Sequence, residues 1–392
     1  MKNILLGLMV FCLSIVWGGE TTPTALRKSA EQGDAKAQCQ LGLCYAKGEG
    51  VKADAEKAVY WWKKAAEQGM AAAQFFLGFC YAAGEGVKAD AEKAVYWYQK
   101  SAEQGDAKAQ YQLGLCYDNG KGVKADAEKA VYWWKKAAEQ GMAAAQFFLG
   151  FCYFDGKGVK ADAEKAVYWC QKAAEQGEAR AQVLLGVCYF EGKGVKADAE
   201  KAVYWYQKAA EQGEATAQYN LGVCYFTGKG VKADAEKAVY WWKKAAEQGE
   251  ANAQCSLVAC YAKGEGVKAD AEKAVYWCQK AAEQGEANAQ FQLGLCYAKG
   301  EGVKADAEKA VYWWTKIAEQ GDATAQYNLG FCYAKGEGVK ADAKKAVYWY
   351  QKAAEQGDAT AQYLLGVCYF EGKGVKADAE KAVYWWKKAA EQ

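Results

Sequence analysis

Along most of the chain, apolar residues recur in two alternating helical rhythms separated by glycine-bearing turns. Ala37, Leu41, Cys44 and Tyr45 fall at steps of three and four, which predicts a helix from about Asp34 to Lys47. Gly48 ends it, Gly48-Glu49-Gly50-Val51 forms a turn, and Asp54 stands where a second helix needs an N-cap and a negative charge. In that second helix Ala55, Ala58, Trp61, Trp62 and Ala65 make one broad apolar face, with Lys57, Lys63, Lys64 and Glu67 mostly outside it. Gly69 closes the helix in the left-handed conformation that glycine tolerates best.

The pattern then starts again. Cys44, Cys80, Cys116 and Cys152 are 36 residues apart, and the series continues through Cys188, Cys224, Cys260, Cys296, Cys332 and Cys368. From Gly33 to Gln392 the chain is ten such units without remainder. The copies are nearly identical, which points to recent duplication. Neither helix of a unit buries its apolar face alone, and stacking successive pairs solves that. At helix spacings of about 8–10 Å, ten pairs would extend on the order of 90 Å along the contour.

Leu41-Gly42-Leu43-Cys44-Tyr45, Gly48-Glu49-Gly50-Val51, Asp54, Lys57-Ala58, Trp61 and Lys64-Ala65-Ala66-Glu67-Gln68-Gly69 resemble the Sel1-like repeat, a relative of the tetratricopeptide repeat. The likeness runs from Gly33 to the last residue. It implies an all-α fold, a right-handed αα superhelical solenoid of ten helix pairs, used as a protein-binding adaptor. Bacterial secreted members of the family are often linked to signalling or host contact.

The N-terminus reads as a targeting segment. Lys2 precedes an apolar run, Ile4 to Trp17, that is short for a bilayer span, and Val16 and Gly18 suit a signal peptidase. The expected organisation is a signal peptide over 1–18, a lead-in with partial helix over 19–32, and repeats over 33–392. An uncleaved anchor and a lipoprotein at Cys12 are the alternatives. The protein is therefore expected to be secreted or periplasmic, with no membrane insertion after cleavage.

Composition narrows the chemistry. Lys+Arg (50) and Asp+Glu (48) nearly cancel without blocks of like charge, which argues against a nucleic-acid surface. There is no histidine in the chain, which removes the commonest general base and zinc ligand together. No catalytic residue, metal site or cofactor is expected. The cysteine-rich Helicobacter relatives have been described as penicillin-binding or weakly β-lactamase-like, but no Ser-x-x-Lys motif occurs here. Their junction disulfides join cysteines eight apart, where this chain has Ala30 and Gln38.

The cysteine ladder lies on the apolar face of the first helices, where free cysteine acts as a small hydrophobe. Its neighbours, one repeat apart, exceed the roughly 7 Å reach of a disulfide. Cys39, Cys255, Cys170 and Cys278 replace tyrosines of other copies, one base change away. Because secreted thiols tend to oxidise, Cys152 with Cys170 and Cys260 with Cys278 are candidate disulfides within single units.

Tyr45, Tyr60 and Trp61 recur in every unit and are expected to serve the packing common to all. Gly42 recurs where the second helix must come close, so Val258 in the seventh unit predicts crowding costing roughly 1–3 kcal/mol.

Variation carries the functional signal. It concentrates at positions 36, 39, 40, 43, 46 and 47 of the first unit and their counterparts, one stripe of the first helix. In this architecture the first helices line the concave side, so the stripe is expected to form a partner-binding groove. Its candidate residues are Phe76, Phe148, Phe154, Phe190, Phe226 and Phe370, with Arg180, Asn220, Asn252, Asn288 and Asn328 supplying polar groups; the alternative is that some of the phenylalanines simply fill the core between repeats. The alternative is a structural solenoid that assembles with itself through an uncapped C-terminal helix.

Overall fold

A computed structural model of the chain describes residues 23–391; the expected signal segment lies outside them. Among the described residues every regular element is an α-helix. After a short helix, Pro23–Glu31, the helix pairs follow one another. First helices run from Ala35–Lys47 in the first repeat to Ala359–Glu371 in the tenth, and second helices from Ala55–Glu67 to Ala379–Ala390.

The helix ends follow from single residues. Asp34 and Asp54 each accept a hydrogen bond from the backbone N–H three residues on, at 2.7 and 3.0 Å, satisfying an otherwise unpaired donor. Met70, Met142, Glu214, Glu250 and Glu286 begin other first helices without such a side-chain cap. Gly48 takes φ 75° and donates to the Cys44 carbonyl. The Asp54 N–H then reaches back to the Tyr45 carbonyl at 2.9 Å, closing the turn between the two helices.

By contacts the chain falls into two compact units: residues up to Leu184 with Lys193–Val195, and Leu185–Gly192 with Lys196 onward. Within each, successive helices pack on one another, the stacking of an α-solenoid. The leucine of each first helix, Leu41 or Leu77 for example, is completely buried. Beside it the Trp62 ring lies across Gly42, donating Nε1 to the Cys39 carbonyl at 3.2 Å. A methyl group at Gly42 would meet that indole at 2.5 Å, which explains the glycine.

Three expectations need correction here. The crowding at Val258 is relieved by its neighbour: Val258 packs against a cluster in which Cys278 stands where other repeats carry Trp or Tyr. The proposed cysteine pairs are not joined as disulfides. Cys278 donates to the Ala289 carbonyl of the next repeat at 3.2 Å, and Cys170 Sγ sits against Gly150, filling the space left by a missing ring. Finally, Tyr60 is not a packing residue. It and its counterparts are 51–53% exposed, each set edge-on against the adjacent tryptophan at about 5 Å.

One device was missed in the sequence. Gln38 is buried, and its Nε2 donates to the Ala30 carbonyl at 3.0 Å while its Oε1 accepts from Gln68 Nε2 at 2.8 Å. The same pair of bonds recurs, for instance at Gln146 with Ala138 and Gln176. A buried amide thus joins one repeat to the next. In the eighth repeat the pattern lapses: Gln290 Oε1 has no partner among the described residues, and Ile317 occupies a slot that holds alanine or serine elsewhere.

Candidate interaction surface

The variable stripe of the first helices resolves into three environments, decided by what the next repeat places over each side chain. Phe76 is buried at 9% exposure, stacked on Trp62 with ring centroids 5.0 Å apart. It fills the junction between the first two repeats and does not line a groove, a correction that follows from the Trp beneath it. Phe148 is half-buried in the same way on Trp134, at 4.8 Å, and Arg180 from the next repeat lies 5.3 Å above it. Arg180 itself is exposed, held by Glu178 at 2.8 Å and over Phe147 at 4.6 Å.

Phe154 and Phe190 are half-buried because a lysine from the following turn covers each ring. Lys193 Nζ stands 3.5 Å from the Phe154 centroid, and Lys229 Nζ the same distance from Phe190. Asp118, one repeat earlier, occupies the equivalent position and pairs with Lys157 at 2.6 Å.

Phe226 and Phe370 are the exposed members, at 42% and 63%. In the repeat after Phe226, Glu265 stands where Lys193 and Lys229 stand, so nothing cationic covers the ring. Each leans on the tryptophan of its own repeat, Trp242 at 5.3 Å and Trp386 at 5.6 Å. Phe151 (41%) and Phe331 (37%), which the candidate set omitted, are also exposed. Of the asparagines, Asn252 is exposed and bonds Glu250 at 3.0 Å, Asn288 is exposed, and Asn220 and Asn328 are half-buried.

Burial raises the ladder thiols. Cys80 is pushed up to about 12, mainly by burial with Glu85 adding to it, and Cys152 to about 11, again mainly by burial. Both are thus neutral at physiological pH and unsuited to nucleophilic or metal-binding roles. Among the described residues no group of acidic or cysteine side chains is arranged to hold a metal ion, and no helix is long and apolar enough to cross a membrane.

The Sel1 repeat family model matches the chain ten times, from residues 35–70 to residues 359–392. This chain belongs to the Sel1 repeat family. Sel1 repeat proteins are generally protein–protein interaction scaffolds. Two solved structures are similar over most of their length. A protective antigen present in uropathogenic Escherichia coli strains is 38% identical, covers 95% of this chain and 87% of its own, with TM-score 0.59. A Sel1 repeat protein from Oxalobacter formigenes is 38% identical over 78% of this chain and 89% of its own, with TM-score 0.62. No curated protein matches the chain. The family repeat begins at Ala35, two residues after the register read from the glycines.

Proposed function

We propose that this Sel1 repeat protein is a non-enzymatic scaffold that binds a protein or peptide along the variable face of its first helices. The observation that carries the reading is the exposure of Phe151, Phe226 and Phe331 on that face, in copies whose remaining positions are almost identical. Large exposed rings cost solubility and contribute most to binding when a partner covers them. Arg180, Asn252 and Asn288, all exposed, supply hydrogen-bonding groups on the same stripe. The apolar run from Ile4 to Trp17 supports export to the periplasm or beyond, and a histidine-free chain supports the absence of catalysis.

Affinity capture with the full chain and with a Phe151→Ala, Phe226→Ala, Phe331→Ala variant tests this. The variant should lose the captured partner while keeping its helical circular dichroism. Equal recovery by both proteins contradicts the reading.

A further inference from the structure

At two repeat junctions a second helix, the next first helix and the turn that follows it enclose a small space. Between the first and second repeats this space is nearly filled, because Phe76 stacks on Trp62 and leaves about 50 Å³. Between the eighth and ninth repeats Asn328 stands in the place of Phe76, and a cavity of about 260 Å³ remains. One water needs only roughly 10–15 Å³ on such a measure, so this space accommodates a side chain. Trp314, Tyr327 and Phe331 are its aromatic lining, Ala298 leaves one side open, and Asn328 and Glu337 are its polar groups.

The chain itself shows what this position accepts. At three other junctions a lysine ammonium is seated there: Lys157 on Asp118, Lys193 on Phe154 and Lys229 on Phe190. In each case the lysine comes from the turn of the following repeat. At the eighth–ninth junction that turn position is Glu337, and alanine replaces the Phe or Asp. In two other turns the equivalent glutamate is engaged, Glu49 by Lys47 at 3.6 Å and Glu301 by Lys299 at 3.8 Å. Lys335 instead directs its ammonium toward the Phe331 ring, 5.9 Å from the centroid, and Glu337 makes no ion pair among the described residues. The junction therefore keeps the aromatic floor, exchanges the internal cation for a carboxylate, and leaves room.

We propose that the cavity between the eighth and ninth repeats binds a lysine or arginine side chain of a partner peptide. The methylene stem packs against Trp314 and Phe331, and the cationic head reaches Glu337 and the Asn328 amide oxygen. This deepens the first-helix reading and rests on it, since it places one basic anchor of the partner on that face.

Fluorescence anisotropy with the full chain and a fluorescein-labelled alanine-spaced lysine peptide tests it, with the norleucine analogue as the uncharged control. Asn328→Phe and Glu337→Lys copy residues that other repeats carry natively, so neither disturbs the fold. The lysine peptide should bind, Asn328→Phe should abolish binding, and Glu337→Lys should weaken it by at least about tenfold. The norleucine peptide should bind at least about tenfold more weakly than the lysine peptide. No binding of the lysine peptide up to millimolar concentration, equal binding of norleucine, or unchanged binding by both variants each overturns the proposal. If the triple phenylalanine variant loses its captured partner while Asn328→Phe and Glu337→Lys retain it, the basic anchor is wrong and the groove stands. If the lysine peptide binds as expected but the triple variant keeps its partner, the pocket stands and the groove reading falls.

Discussion

Replacing Gln146 by leucine removes two hydrogen bonds from the junction between the third and fourth repeats. One runs from its Nε2 to the Ala138 carbonyl at 3.1 Å and the other from Gln176 Nε2 to its Oε1 at 2.8 Å. Neither partner is left bare. The Ala138 carbonyl still accepts from the Gly141 N–H at 3.0 Å, and Gln176 still reaches the Lys172 carbonyl at 3.4 Å. The loss is therefore that of two ordinary bonds, about 1–2 kcal/mol in total, without the larger penalty of an orphaned buried group. A solenoid distributes stability by neighbour contacts, so the effect should stay local. Hydrogen exchange of Ala127–Glu139 and Ala143–Asp155 should speed up roughly 5- to 30-fold, with the eighth to tenth repeats unchanged. Exchange rates within a factor of two of the parent, or slower, would refute the assignment of the amide ladder as the junction's polar fastening.

Two further outcomes follow from the same packing. Cys278→Trp should destabilise the seventh repeat by roughly 1–3 kcal/mol, because Val258 blocks the ring, and adding Val258→Gly should restore most of the loss in a double-mutant cycle of chemical denaturation. Additive single effects would show that the two positions do not touch. The pH dependence of stability should be flat through neutrality and fall under alkaline conditions. Cys39, Cys80 and Cys278 are pushed by burial from 9.0 to about 12 in the folded protein. Their stabilising contribution is thus complete below the unfolded value and lost as pH rises from there through the folded one. Denaturation at stepped pH values would detect it, and equal stability at pH values on both sides of that window would contradict it.

The helix pairs were legible because their signals are local. Asp54, Gly48 and the spacing of Leu41 and Cys44 act within a few residues, and the structure places helices between them. The fate of the stripe residues was not legible, because it is decided across a junction. Phe154 and Phe226 occupy equivalent positions on the first helices of the fourth and sixth repeats, yet one is covered by Lys193 and the other faces a turn bearing Glu265. The signal existed as a pairing 39 residues apart, Asp118 with Lys157, Phe154 with Lys193 and Phe190 with Lys229, and it becomes readable only once the stacking is known. Tyr60 misled for a different reason: identity in every copy reflects duplication as well as packing, and a residue next to the apolar face can remain outside it. Gln38 hid because a polar residue on an apolar stripe announces nothing until its partner carbonyl is seen.

The central claim, that partners meet the first-helix face, is tested most directly by photocrosslinking from single benzoylphenylalanine substitutions in the producing cell. The chosen sites are Phe226 and Phe370 on that face, and Tyr240 and Tyr384, 51% and 53% exposed, on the second helices. Adducts with a distinct protein at Phe226 and Phe370, and none at the tyrosines, are the predicted result. Adducts confined to Tyr240 and Tyr384 would contradict the account.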